Sequence, residues 1–251
     1  MNNKISAIIL TKNEEKNIKD CINALSWVDK IVVLDDNSQD KTTGIAEKLG
    51  AQVLIHNLNN DFAAQRNFGL EKAHNEWVLF IDADERVSLS LQYEITHLIN
   101  DPMNSNNGYY ISRVDMIWGK KISYGESAHN KFLRLGKRTE GKWVGKVHET
   151  WDIKGTTGLL KNPLLHFPHQ TLQEFLTKIN VYTDLRAQEL FEKKVKSYWV
   201  HIVCYPIGKF LYTYIVLQGF LDGTQGLLIA LTMSFHSFLV RSKLWFLWQK
   251  K

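Results

Sequence analysis

The stretch Trp77-Val78-Leu79-Phe80-Ile81-Asp82-Ala83-Asp84-Glu85 is an apolar run that ends in acidic side chains. A run of large apolar residues suits a strand buried on both faces, and the carboxylates mark where that strand leaves the core. Short β-branched runs and amphipathic segments alternate before it, at residues 5–10, 14–25, 31–34, 42–49, 52–55 and 62–74. This βαβαβαβ order predicts an α/β fold with a mostly parallel sheet sandwiched by helices.

Polar loops follow three of the predicted strands, at residues 11–14, 35–40 and 82–85. Ligands of open parallel sheets bind outside the carboxyl ends of the strands, so we expect a site there. Asp82 and Asp84 can hold a divalent cation, Mg²⁺ or Mn²⁺, through carboxylate oxygens. Such a cation neutralises the diphosphate leaving group of a sugar nucleotide. A solvated acidic turn is the alternative for an Asp-x-Asp pair alone.

Two loops resemble those of the family 2 glycosyltransferases, which have the GT-A fold: Thr11-Lys12-Asn13-Glu14 and Asp35-Asp36-Asn37-Ser38-Gln39-Asp40. The spacing also resembles the family, because Asp84 follows Asp36 by 48 residues. The resemblance implies that Asp36 recognises the base, because a carboxylate accepts the uracil N3–H bond strongly. It also places Thr11, Asn13 and Glu14 in the nucleotide-sugar site with Asp82. As an alternative, Asn13 can cap the first helix, and Asp36 or Ser38 the helix near Thr42.

Gln65-Arg66-Asn67 also looks like the family, and Arg66 would reach the diphosphate as a cation that does not deprotonate. As an isolated arginine on a helix, Arg66 would instead lie on the surface. Three histidines, His129, His166 and His169, are candidates for a third metal ligand from the C-terminal half. The alternative for each of them is a structural role.

Further motifs narrow the resemblance to the bacterial lipopolysaccharide-core β-1,4-glucosyltransferases. These motifs are Ser26-Trp27-Val28-Asp29-Lys30-Ile31, Asp82-Ala83-Asp84-Glu85-Arg86, Gly145-Lys146-Val147-His148-Glu149 and Gly219-Phe220-Leu221-Asp222-Gly223-x-x-Gly226. The resemblance implies inverting transfer of a hexose, such as glucose from UDP-glucose, to a lipopolysaccharide-core or lipid-linked saccharide.

The catalytic base must take the proton of the acceptor hydroxyl. Many family members carry Glu-Asp at the position of His148-Glu149, and this departure leaves the base open. Glu149 is favoured because its run includes glycines and Trp143, an aromatic that could stack on a sugar. His148 orients Glu149 or is itself the base, and Glu126 and Asp115 also qualify by position. A surface Glu149 paired with a lysine is the remaining alternative.

The C-terminal part is basic and aromatic. From Lys193 onward there are eight basic residues against one acid, Asp222, giving +7, and the rest of the chain carries −2 of the net +5. This pattern predicts binding to an anionic membrane surface, with no nucleic-acid partner. The uncharged stretch 223–240 is only 18 residues long and contains polar side chains, which makes it a poor membrane span. We therefore favour an in-plane or re-entrant attachment to the membrane. A membrane span and packing against protein are the alternatives.

These observations divide the chain into a catalytic domain, 1–170, and a helical C-terminal region, 171–251. Cys21 and Cys204 stand far apart and predict no disulfide framework, and the N-terminus shows no export signal. We therefore expect a protein that is peripheral on the inner face of the cytoplasmic membrane.

The sequence disfavours two other functions. A sugar nucleotidyltransferase would carry a Gly-rich phosphate loop near the first strand, and none is present. A non-catalytic membrane-associated saccharide-binding or assembly protein is disfavoured because Asp36, Arg66, Asp82 and Asp84 occur together.

Overall fold

The computed structural model describes residues 4–126, 130–146, 149–168 and 171–249. The chain forms two compact units. The first comprises Met1–Arg113 and His129–His166, and the second comprises Val114–Ala128 and Phe167–Lys251. The domain boundary expected at residue 170 stays a prediction.

The first unit contains the central sheet, whose strand β6 runs on into the second unit. Its elements are β1 (Ile5–Thr11), α1 (Ile18–Asn23), β2 (Lys30–Asp35), α2 (Thr42–Lys48), β3 (Gln52–Ile55), α3 (Phe62–Lys72), β4 (Trp77–Asp82), β5 (Glu85–Arg86), α4 (Leu89–Asn100), β6 (Gly108–Ile117), β8 (Lys131–Lys137), β9 (Gly141–Val144), β10 (Thr150–Ile153), β11 (Thr157–Leu159) and β12 (Leu164–His166).

In the strand order β3-β2-β1-β4-β8-β6-β12-β5, the first four strands are parallel, β8 is antiparallel to both β4 and β6, and β12 is antiparallel to β5. Thr11 lies opposite Asp35, and Leu10 lies opposite Asp82, so the carboxyl ends of β1, β2 and β4 meet at one edge. The predicted α/β class with a mostly parallel sheet is confirmed.

The core occupies both faces of the sheet because successive side chains of a strand point to opposite sides. Leu79 and Ile81 of β4 pack in one apolar cluster, and Val78 and Phe80 pack in the other. Helix α3 approaches the second face closely at Gly69, where an added Cβ would come within 2.8 Å of Ile8 Cγ2. This close packing fixes the position of α3 relative to β1 and β4.

The second unit is mainly helical. It contains β7 (Lys120–Lys121), α5 (Leu172–Glu192), α6 (Trp199–Leu211), a π-helical segment (Tyr212–Val216), a 3₁₀ turn (Gly219–Asp222) and α7 (Gly223–Gln249). Helix α7 packs against both α5 and α6. Within the described residues, the helical stretch Gly219–Gln249 is long and apolar enough to cross a membrane by length and composition, which is weak evidence by itself.

The motif around Asp222 holds the segment after β7. The buried carboxylate of Asp222 accepts the backbone N–H groups of Ser123 (3.2 Å) and Tyr124 (2.9 Å), and its carbonyl accepts a bond from Lys120 Nζ at 2.6 Å. Gly226 lies against the Gly219 carbonyl, where a Cβ would come within 1.9 Å of the oxygen. Gly226 therefore serves close packing within the second unit.

Candidate active site

The loops after β1 and β2 are bonded to each other. The Asn13 N–H donates to Ser38 Oγ (2.7 Å), the Gln39 N–H donates to Asn13 Oδ1 (2.7 Å), and the Glu14 N–H donates to Thr42 Oγ1 (2.8 Å). Asn13 adopts a left-handed backbone conformation (φ 55°), which asparagine tolerates better than most residues. The two loops therefore form one continuous surface at the sheet edge.

The capping alternatives are wrong. Helix α1 begins at Ile18, later than expected, with Asn17 at its N-cap, and α2 has Lys41 at its N-cap. The Asn13 side chain bonds to the neighbouring loop, and Ser38 Oγ donates to Asp35 Oδ1 over 2.5 Å. These side chains join the loops instead of ending helices.

Asp36 is held in its ionised form. Lys12 Nζ lies 2.7 Å from Oδ2, and the Leu58 N–H donates to Oδ1 over 2.9 Å. Burial alone would raise the pKa of Asp36, but these donors outweigh it and hold the pKa below its usual range. Sequence reasoning missed Leu58, although its loop follows β3 at the same sheet edge.

Thr11 ends β1 close to this loop pair. Its hydroxyl Oγ1 is buried without a hydrogen-bond partner among the described residues, and its carbonyl accepts the Asp36 N–H at 3.0 Å. The Glu14 side chain accepts a bond from Asn17 Nδ2 at 2.7 Å. Thr11 and Asp36 therefore lie side by side, while Glu14 anchors the first turn of the loop.

Arg66 is buried, which excludes the surface alternative for this residue. It is 3% exposed, its Nη2 lies 3.1 Å from Asp82 Oδ1, and its Nε lies 2.9 Å from Glu149 Oε1. The guanidinium also lies over the Trp143 ring at 4.7 Å. Glu149 therefore pairs with a buried arginine and not with a surface lysine.

Arg134 of β8 is the main site residue that sequence reasoning missed. It is 4% exposed, and its Nη2 lies 2.7 Å from Asp82 Oδ2. Burial alone would raise the pKa of Asp82, but the charges of Arg134 and Arg66 outweigh it and hold the pKa well below its usual range. The available signal was one arginine in the apolar run Phe132-Leu133-Arg134-Leu135.

Glu85 lies beneath this cluster and is fully buried. Its Oε2 accepts the Asp82 N–H over 2.9 Å, and Arg134 Nη2 lies 3.8 Å from its Oε1. Burial raises the pKa of Glu85, with Arg134 opposing the shift. Glu85 therefore supports the backbone at the turn into Asp84.

Asp84 meets His166 through a short pair of strands. Glu85 of β5 is paired with His166 of β12, and His166 Nε2 lies 3.3 Å from Asp84 Oδ2. Within the described ranges no group of three His, Cys, Asp or Glu residues could hold a metal ion. The geometry offers one carboxylate and one imidazole at this point.

The structure does not support sugar stacking on Trp143. Its side chain is 5% exposed and packs on Phe80 and Trp151, with ring centroids 5.1 and 5.3 Å away. The Asn67 side chain also fixes the backbone of Trp143. Its amide donates to the Trp143 carbonyl and accepts the Trp143 N–H, both at 2.9 Å. Trp143 is a core residue that supports Arg66.

The remaining candidates divide into two groups. His129, His148 and His169 lie outside the described residues. Glu126 and Asp115 belong to the second unit, where Glu126 forms an ion pair with Lys209 and Asp115 is buried.

Comparisons with known proteins identify the family of this chain. The family model described as "Glycosyl transferase family 2" matches residues 6–149. The chain is 29% identical over 253 residues to an uncharacterized glycosyltransferase, RC0292, of Rickettsia conorii, covering 96% of this chain and 89% of that protein. It is 27% identical to the lipopolysaccharide core biosynthesis glycosyltransferase LpsC of Rhizobium meliloti, covering 96% and 92%.

Solved structures show weaker likeness. S. aureus TarS 1-349 has a TM-score of 0.48 at 14% identity, over 99% of this chain and 92% of that one. Glucosyl-3-phosphoglycerate synthase from Mycobacterium tuberculosis, in complex with Mn²⁺, UDP and glucosyl-3-phosphoglycerate, has a TM-score of 0.38 at 22% identity, over 45% and 44%. At these scores the likeness carries no inference about substrate. The family model, in contrast, spans more than half of the chain and all three site loops, and the chain belongs to glycosyl transferase family 2.

Proposed function

We propose that this glycosyltransferase moves a hexose, such as glucose from UDP-glucose, to a lipopolysaccharide-core or lipid-linked saccharide with inversion at the anomeric carbon. The observation that carries the proposal is the convergence of Asp36, Asp82, Asp84 and Glu149 on the carboxyl edge of the parallel strands. The similarity to LpsC supports a saccharide acceptor of the lipopolysaccharide-core class.

Donor binding is assigned to the loops after β1 and β2. The Asp36 carboxylate, kept ionised by Lys12 and Leu58, would accept the uracil N3–H bond. Thr11 would line the nucleoside site beside Asp36, whose N–H donates to the Thr11 carbonyl. Asn13 and Glu14 would act by fixing the loop conformation, since the side chain of each is bonded within the loops.

A divalent cation fits beside Asp84. Mg²⁺ and Mn²⁺ need few protein ligands when substrate phosphates and water complete their coordination, and an imidazole is a suitable ligand for Mn²⁺. Asp84 and His166 would hold the cation, which when bound would neutralise charge on the diphosphate leaving group. Both oxygens of Asp82 accept bonds from guanidinium groups, so we assign Asp82 to holding Arg66 and Arg134.

Glu149 is the proposed base. Its Oε1 is bonded to Arg66 Nε, and its Oε2 has no partner within the described residues. The acceptor proton would pass to Oε2 while the new glycosidic bond forms and the bond from the anomeric carbon to the diphosphate breaks. Arg66 is buried, so we propose that it positions Glu149. Contact between Arg66 and the diphosphate stays a prediction.

Labelled UDP-sugars, incubated with membrane lipid and core-saccharide acceptors, test this function. We expect free UDP and a labelled saccharide whose linkage can be read by NMR. Release of pyrophosphate would instead identify a nucleotidyltransferase, and release of neither would identify a saccharide-binding protein. Both of those results contradict the proposal.

We place the enzyme in the cytoplasm, peripheral on the inner face of the membrane. Support comes from the basic and aromatic C-terminal part, which carries +7 from Lys193 onward. A lipid-linked acceptor would be presented at that surface.

A further inference from the structure

Helix α6 has an apolar face that points outward. Trp199, Val203, Ile207 and Leu211 recur every four residues and so share one side of the helix, flanked by Val200 and Cys204. All six are exposed, and none of the residues of α6, which the structure describes in full, is buried. We refer to these six residues as the α6 face.

The polar groups of α6 lie on its other sides. The Pro206 carbonyl accepts a bond from Ser234 Oγ of α7 at 2.8 Å, and Arg241 lies over the Tyr205 ring at 3.9 Å. Lys209 is paired with Glu126. A surface helix in water normally turns its apolar stripe toward the protein, so α6 is inverted in this respect. The α6 face therefore requires a cover other than water.

The exposed apolar surface continues beyond α6. Ile215 and Val216 of the π-helical segment and Phe220 and Leu221 of the 3₁₀ turn are all about half exposed or more. On α7, the exposed side chains include Leu231, Phe235 and Phe238. The apolar character therefore extends over consecutive elements of the second unit.

We propose that the α6 face inserts into the headgroup and upper acyl region of an anionic lipid bilayer, with α6 lying in the membrane plane. This extends the membrane location of the proposed function by naming the contact surface. The charge supports lipid, because basic residues outnumber acids by eight to one from Lys193 onward. The single acid, Asp222, is buried and bonded to Ser123 and Tyr124.

Aromatic residues at the two ends of α6 support the same occupant. Trp199 of the α6 face and the flanking Tyr198 and Tyr212 are exposed, and Trp and Tyr favour the interface between water and hydrocarbon. A second copy of the chain fits less well, because it would carry the same excess of basic residues, whereas an anionic lipid surface offsets that charge.

The ion pair between Lys209 and Glu126 favours an in-plane helix over a membrane span. Lys209 lies two residues after Ile207, about 200° around the helix, so its pair with Glu126 stays on the side away from the α6 face. Threading α6 and α7 across the bilayer would carry this pair toward the hydrocarbon, which is costly. An in-plane arrangement buries only the uncharged side.

Vesicle flotation tests the proposal on the full-length protein. Wild type should float with phosphatidylcholine vesicles that contain about one third phosphatidylglycerol, and less with phosphatidylcholine alone. Ile207→Glu, at a 55% exposed position, should weaken flotation at least about tenfold. The matched control is Leu89→Glu, which places the same charge at an 84% exposed leucine of α4 and should float like wild type.

Cys204 supplies a second measurement that needs no destabilising substitution. Cys204 is exposed on the α6 face and Cys21 is buried, so a thiol-reactive fluorophore should label Cys204 alone among the cysteines. On adding anionic vesicles, we expect a blue shift and quenching by lipids spin-labelled near the headgroup. Quenching chiefly by spin labels at the acyl end would overturn the in-plane arrangement.

Other results overturn the proposal outright. These are no vesicle binding by wild type, equal binding by Ile207→Glu, or a lipid-free dimer that Ile207→Glu converts to a monomer. Flotation needs no donor or acceptor. A membrane-bound protein without transferase activity would therefore refute the proposed transfer reaction and leave this inference standing. An active protein that does not float would refute this inference and the membrane location, and would leave the transfer reaction standing.

Discussion

The Arg134 guanidinium donates to the Asp82 carboxylate over 2.7 Å, joining strands that are neighbours in the sheet although the residues are 52 positions apart in sequence. Arg66 approaches the other oxygen of Asp82, so two buried cations hold one carboxylate. Asp84, two residues further on, meets only His166 among the described ion pairs. The Asp-x-Asp motif therefore divides into an aspartate fixed by arginines and an aspartate that contacts an imidazole.

Replacing Arg134 with Met should lower the free energy of unfolding by about 3 kcal/mol, because Asp82 and the buried Glu85 lose a cationic partner. This is the low end of the range for breaking a buried pair, since the Asp82 side chain is 30% exposed. Urea unfolding measures the change. Arg186→Met, which breaks an exposed pair with Glu189, should leave the free energy of unfolding close to that of wild type. Equal effects of the two substitutions would contradict the assigned role of Arg134.

Stability should fall in acid through Asp82. Its pKa is lower in the folded protein than in the unfolded chain, so its contribution is present above about pH 4 and is lost as the pH falls toward the folded pKa. Glu85 affects stability in the opposite direction. Because its pKa is raised in the folded protein, its contribution to the free energy of unfolding is present at low pH and is lost as the pH rises. Urea midpoints measured from about pH 3 to 7 should fall less steeply on acidification in Asp82→Asn than in wild type. Parallel curves would exclude Asp82 as the source.

The local pattern of the sequence predicts the parallel half of the sheet well. Runs such as 5–10 and 77–81 are apolar on both faces, so their burial follows from composition, and the loops after them must share one edge. That is why Asp36, Asp82 and Asp84 could be placed together before their contacts were known.

Contacts that depend on long-range strand pairing could not be predicted in this way. Arg134 meets Asp82 only because β8 lies antiparallel beside β4, and His166 meets Asp84 only through the two-residue strand β5. The sequence around Trp143 predicts an aromatic ring that stacks on a sugar. Its contacts with Phe80 and Trp151 instead place it in the core. Pairing between distant segments leaves no periodic signal in either segment.

Asp84→Asn should lower transfer activity at least about a hundredfold, because it removes the carboxylate charge proposed to hold the cation while keeping the volume. Transfer assays with and without EDTA measure this effect. Circular dichroism should be unchanged, and Asp20→Asn at an exposed position of α1 should keep wild-type activity. Full wild-type activity in EDTA would remove the metal from the mechanism.

His166→Gln should weaken Mn²⁺ binding roughly 10- to 100-fold if His166 Nε2 is a ligand, since the amide is a poorer donor to the metal. The measurement is the Mn²⁺ concentration that gives half-maximal transfer, supported by calorimetry with Mn²⁺ and UDP. A purely structural His166 would instead lower thermal stability and leave the Mn²⁺ requirement unchanged.

Glu149→Gln should lower kcat at least about a hundredfold, the lower end of what loss of a general base costs. Gln keeps an oxygen that can accept the bond from Arg66 Nε at the position of Oε1, so the surrounding structure should persist. UDP binding should stay near wild type, because the substitution removes the proton acceptor and no group assigned to the nucleotide.

The rival carboxylates give the matched controls for Glu149. Glu126→Gln disrupts an ion pair with Lys209, and Asp115→Asn alters a buried side chain, so each can disturb the second unit without removing the base. We expect both to keep a kcat well above that of Glu149→Gln even if turnover falls. Near-normal turnover in Glu149→Gln, together with a loss of kcat of about a hundredfold in one of these two variants, would transfer the role to that residue. Loss of UDP binding in Glu149→Gln would instead show that Glu149 acts by holding Arg66 in place.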